Sequence, residues 1–144
     1  MIYKCRHFKL QELVSPIVFD KHGEFAWAFF DAEILKDLDK IREKFGSVIV
    51  INSWLFGGQT TQCGYRSNLE PLVKEQKGLY CSAHTMGKAF DLHAYDNVAL
   101  FDLIHKLIKS GELSAIKRLE SRSGTHDSWV HADSFQSDKI VFIP

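Results

Sequence analysis

Apolar residues recur at helical spacing in residues 31–45, DAEILKDLDKIREKF, where Ile34, Leu35, Leu38, Ile41 and Phe45 fall on one face. Acidic residues open the segment and Gly46 closes it, which predicts an amphipathic helix. A second such stretch, DNVALFDLIHKLIKSGEL, carries Val98, Leu100, Phe101, Leu103, Ile104, Leu107 and Ile108. Asp96 or Asn97 serves as its N-cap and Gly111 as its stop. Leu10, Leu13 and Val14 predict a short helix ending at Pro16.

Elsewhere the period shortens. SVIVINSW (47–54) is a β-branched run between Gly46 and the turn-rich FGGQTTQCGYRSN, which predicts a strand buried on both faces. LSAIKRLE (113–120) and SWVHAD (128–133) predict two strands of an antiparallel hairpin around the polar loop SRSGTHD. Helices and strands alternate without a βαβ rhythm, so the expected fold class is α+β, with a small antiparallel sheet flanked by helices. With no linker or repeat, residues 1–144 are expected to form one domain.

Composition narrows the functional classes. Eighteen Lys and Arg balance eighteen Asp and Glu with no basic patch, so nucleic acid is not an expected partner. No stretch approaches the length of a membrane span, and the charged N-terminus, MIYKCRHFKLQELVSP, is unlike an export signal. The expectation is a soluble protein made in the cytoplasm, monomeric by default. Cys5, Cys63 and Cys81 are odd in number and lack Cys-x-x-Cys spacing, so reduced thiols are expected, with a Cys63–Cys81 disulfide conceivable.

The chemistry concentrates in CSAHTMGKAFDLHAYD (81–96). His84 and Asp91 are too far apart in sequence for a helix-borne pair, so a turn at Gly87 must bring them together. If residues 88–93 then form a strand, Ala89, Asp91 and His93 share one face while Phe90 and Leu92 pack on the other. A catalytic zinc takes three protein ligands and leaves one position open. The candidate third ligand is His131, which shares a strand face with Trp129 and Asp133. His93 is expected to be an exposed strand residue, and His7, His22 and His105 have no companions. His126 is expected in solvent, and EFAWAFF (24–30) as core or cleft wall.

SAHTMGKAFD fits Ser-x-His-x-x-Gly-x-Ala-x-Asp, WVHAD fits a later Trp-Val-His segment, and GYRSN (64–68) fits Gly-Tyr-Arg-Ser. In these motifs the chain resembles the zinc D-Ala-D-Ala carboxypeptidases and L,D-endopeptidases, peptidoglycan peptidases that include phage endolysins and share a Hedgehog-like fold. FKLQELVSP also resembles that family's N-terminal helix, extending the likeness over nearly the whole chain. The resemblance implies Zn²⁺ on His84, Asp91 and His131, and a peptidoglycan peptide as substrate, contacted by Arg66 and Ser82. A guanidinium suits a peptide carboxylate because its planar fork binds it bidentately.

The family pattern also implies a carboxylate base three residues before the last histidine, where this chain has Ser128. Glu120 and Asp127 are the two substitutes. The implied activity is stem-peptide hydrolysis by a phage or prophage enzyme, released to the wall by a holin. The alternative is a non-catalytic, zinc-stabilised binding or phage structural module of the same fold.

Overall fold

The computed structural model describes residues 2–121 and 128–144. The helix expected over 31–45 runs Ala32–Phe45 and ends on Gly46 at φ +75°, a left-handed cap that costs glycine little. The second runs Asn97–Lys109, and Asp96 is its cap, accepting a hydrogen bond from the Ala99 N–H. The N-terminal segment departs from expectation. Leu10–Glu12 form only a 3-10 turn, and Pro16 opens a helix, Pro16–His22, with Ser15 as N-cap. Proline has no N–H to lose at a first helical position, so it starts a helix here. Among the described residues the four α-helices are α1 (Pro16–His22), α2 (Ala32–Phe45), the single turn α3 (Pro71–Lys74) and α4 (Asn97–Lys109).

Five strands form one sheet in the order β1-β2-β4-β3-β5: Ile49–Val50, Ala89–Ala94, Val130–Asp133, Arg118–Glu120 and Val141–Phe142. Neighbours pair antiparallel except β3 and β5, which are parallel. The fold class is therefore α+β, with β5 as a parallel edge that the hydrophobic pattern did not announce.

Two predicted strands are shorter than their apolar runs, each because side chains capture the backbone. Within 47–54 only Ile49 and Val50 join the ladder, as the outermost strand. Asn52 leaves it to bond the Val14 carbonyl and the Cys63 N–H, and Ser53 pairs with Thr60. Nor is the 47–54 run buried on both faces: Ile49 and Ile51 are buried, while Val48 is 67% exposed. Within 113–120 the Asp37 carboxylate takes the N–H groups of Ser114, Ala115 and Ile116, leaving only Arg118–Glu120 for the sheet.

Alternation divides the sheet into two faces. Ile49, Phe90, Leu92, Leu119, Val130 and Ala132 point into one core with Leu100, Ile104 and Leu107 of α4 and with the apolar stripe of α2. Asp91, His93, His131, Asp133 and Arg118 occupy the opposite face, where the candidate chemistry lies. The segment EFAWAFF contributes Ala26, Trp27 and Phe30 to the core. Cys5, Cys63 and Cys81 are free thiols, so the conceivable Cys63–Cys81 disulfide is not formed. No helix among the described residues is long and apolar enough to cross a membrane.

Candidate metal centre

The turn expected at Gly87 is a 3-10 turn, His84–Met86, closed by Gly87 at φ +68°. A β-carbon on Gly87 would lie 2.0 Å from the Phe29 carbonyl oxygen, so this reversal packs too closely for any side chain. The chain then enters β2 with Asp91 on the open face. Asp91 and His131 are direct partners in the β2–β4 ladder. One His84 nitrogen, one Asp91 oxygen and one His131 nitrogen all lie within 4.8 Å of one another. These three residues form a group that could hold a metal ion.

The five residues 62–66 template this group through their backbone. Gln62 O accepts from Arg66 Nε (2.6 Å), Cys63 O from the Asp91 N–H (2.7 Å) and Gly64 O from His84 Nδ1 (2.8 Å). The Tyr65 N–H donates to Leu13 O and the Arg66 N–H to His84 O. A carbonyl can only accept, so His84 donates from Nδ1 and turns its Nε2 toward Asp91 Oδ1, 3.3 Å away.

His131 is fixed in the complementary way. Its Nε2 faces Asp133 Oδ2 at 2.8 Å and its Nδ1 faces Asp91 Oδ1 at 2.9 Å. Asp133 is fully buried and also accepts from Arg118 Nε (2.7 Å) and the Phe135 N–H (3.0 Å). Arg118 in turn lies 3.9 Å over the Phe142 ring, so β5 props the group from behind. Carboxylate partners of this kind set the tautomer and orientation of a ligating histidine.

The electrostatics follow from this packing. Burial alone would raise the Asp91 pKa, but hydrogen bonds from His131 and His84 outweigh it and hold the carboxyl well below the usual carboxylate range. Burial alone would lower the His131 pKa, but its hydrogen bonds to Asp133 and Asp91 raise it to about 9. Arg66 Nη2 lies 3.3 Å from Asp91 Oδ2. One Asp91 oxygen therefore faces two imidazoles and the other a guanidinium. A donor set of two imidazole nitrogens and one carboxylate oxygen, each held by an outer partner, fits a divalent transition metal with an open position.

Arg66 thus stands beside the group, though part of its guanidinium is already engaged. Ser82 sits at the turn, where its Oγ accepts from the His84 N–H. Glu120 is not among the residues whose ligand atoms converge. The β3–β4 register pairs Arg118 with Asp133 and Leu119 with Ala132, and one further step sets Glu120 level with His131. Ser128 is described, whereas Asp127 and His126 lie outside the described residues. A cleft of about 290 Å³ opens beside Asp91, walled by Gln62, Cys63, Arg66, Leu72, His93 and Trp129. Rather than an exposed strand residue, His93 is a half-buried wall of that cleft, its Nδ1 anchored 3.1 Å from Val50 O. Sequence reasoning placed Asp133 on the face of His131 but missed its partnership with that ring. It also missed Arg118 and the carbonyls of 62–64, since backbone acceptors leave no signature in residue type.

Compared with protein-family models, with curated proteins and with solved structures, the chain matches none.

Proposed function

We propose that this chain is a zinc metallopeptidase that hydrolyses peptidoglycan stem peptides, as a D-Ala-D-Ala carboxypeptidase or an L-Ala-D-Glu endopeptidase, of phage or prophage origin. The observation that carries this reading is the convergence of His84, Asp91 and His131 beside a cleft that Asp91 and Arg66 line. The three sequence motifs supply the substrate class by resemblance.

A bound Zn²⁺ would polarise the scissile carbonyl and make water acidic enough to attack it near neutral pH. His84 Nε2, Asp91 Oδ1 and His131 Nδ1 would hold it, kept in place by Gly64 O, Arg66 and Asp133. Arg66 offers its remaining N–H groups to the peptide's carboxylate or carbonyl oxygens. Glu120, level with His131, or Asp127 would accept the proton of the attacking water. The second reading, a zinc-stabilised module without activity, is favoured by Ser128 at the position of the family's acid and by Glu120 standing outside the converging group.

The test is metal content of the purified protein, with hydrolysis of purified peptidoglycan followed by mass spectrometry on the same sample. About one equivalent of zinc with released stem peptides supports the peptidase and identifies its bond. Zinc without cleavage supports the second reading, and absence of bound metal overturns both.

A further inference from the structure

The sheet face that carries the metal group extends beyond the cleft. A second, larger depression of about 720 Å³ lies over β1 and the end of β2, lined by Arg42, Val48, Val50, His93 and Tyr95 among others. His93 lines both depressions, so they adjoin at that side chain. Val50 is its direct ladder partner. By alternation Val48, Val50, His93 and Tyr95 share the face of Asp91. Val48 is 67% exposed and Tyr95 81%, and the C-terminal end of α2 borders this end of the face through Arg42 and through Phe45, whose ring lies 5.7 Å from that of Tyr95.

We propose that this groove binds the extended remainder of a peptide whose cleaved bond lies at the metal group, with an acidic residue of that peptide against Arg42. The inference rests on the peptidase reading for the identity of its occupant. Three observations select the occupant. The groove adjoins the cleft at His93, so a chain held at Asp91 can run on without crossing a wall. Next, among the described residues β1 is the outermost strand and pairs along one edge only, leaving the other for the backbone of an extended peptide. Finally, among the described residues Arg42 is the charged one lining the groove and no acidic side chain lines it, which suits a peptide carboxylate. The groove therefore selects longer, acidic peptides over dipeptides.

The experiment uses the full chain loaded with zinc and two probes, D-Ala-D-Ala and the stem peptide L-Ala-D-Glu-L-Lys-D-Ala-D-Ala. Amide chemical shifts of the ¹⁵N-labelled protein are followed as each is added, and turnover of the pentapeptide is measured alongside. The expected result is that the pentapeptide moves Val48, Val50, His93 and Tyr95, while the dipeptide moves only residues around Arg66 and Asp91. Arg42→Glu should lower kcat/KM for the pentapeptide by about tenfold, with zinc affinity unchanged, and Arg42→Gln should do so less. Hydrolysis of the pentapeptide with no response at Val48 and Tyr95 and no effect of either variant overturns the groove and leaves the peptidase standing. A groove response without hydrolysis keeps the groove and overturns the peptidase. Neither response nor hydrolysis overturns both.

Discussion

Asp91 and His131 stand directly opposite each other on β2 and β4, and His131 Nδ1 lies 2.9 Å from Asp91 Oδ1. In an antiparallel ladder such partners project to the same side with their β-carbons about 5 Å apart. A carboxylate and an imidazole at one ladder position therefore meet by construction. The turn at Gly87 then has only to deliver His84.

The ring of His131 is oriented from behind by Asp133. Asp133→Asn replaces an acceptor by a group that can donate to Nε2, which would move the ring proton to Nδ1 and occupy the lone pair a metal needs. Zinc affinity should fall by about 10- to 100-fold. Competition with a chromogenic chelator measures it, and an affinity equal to wild type would remove Asp133 from the metal centre.

On the proposed reading Arg66 serves a substrate, and its 3.3 Å approach to Asp91 Oδ2 with both side chains largely buried makes Asp91 a second partner. Arg66→Ala should therefore weaken zinc binding by about tenfold as well as raise KM. Arg66→Lys should recover part of the zinc affinity, because a donor to Asp91 Oδ2 returns while the bond from Nε to Gln62 O does not. A raised KM with unchanged zinc affinity would assign Arg66 to the substrate alone.

Much of this arrangement is legible in the sequence, for reasons of periodicity. The period of two placed Asp91 opposite Phe90 and Leu92, and His131 opposite Val130, while the 3.6-residue period located α2 and α4. What stayed hidden depends on side chains acting on a distant backbone. Asp37 and Thr60 capture N–H and C=O groups that an apolar run would otherwise give to strands, and nothing in LSAIKRLE or SVIVINSW reveals that. His93 reads as an exposed strand residue on the face of Asp91, because a lone strand histidine gives no sign that Cys63, Leu72 and Trp129 line a cleft with it.

Gly64 is required for a reason the motif alone does not explain. A β-carbon there would stand 2.1 Å from the Leu13 carbonyl oxygen, which itself accepts from the Tyr65 N–H. Gly64→Ala must push the loop outward and carry away the carbonyl that fixes His84. The expected cost is about 1–3 kcal/mol of stability, seen in urea unfolding, together with weakened zinc binding. A variant with wild-type zinc affinity would show that the 62–66 template is dispensable.

Asp37 should behave in the opposite way. It is 2% exposed, and its carboxylate holds three successive N–H groups at 2.7–3.0 Å, far in sequence from the metal group. Asp37→Ala leaves those donors without their acceptor and should destabilise the fold by on the order of 3 kcal/mol. Zinc affinity of the protein that remains folded should match wild type. Urea unfolding and chelator competition on the same sample separate the two effects, and a loss of zinc affinity would show that the start of β3 sets the site's geometry.

The choice of base is decided by Glu120→Gln and Asp127→Asn. Glu120 comes from β3, one register step beyond the Leu119–Ala132 pair, and so lies on the strand that also carries Arg118 to Asp133. Its backbone is fixed by the sheet, which favours it as a group that must meet a substrate in one geometry. Removing a general base costs about 10²- to 10⁴-fold in turnover. Glu120→Gln is therefore expected to lose turnover on that scale at unchanged zinc content, and Asp127→Asn to lose little. The reverse result assigns the proton to Asp127, and full turnover in both variants removes the carboxylate base from the mechanism.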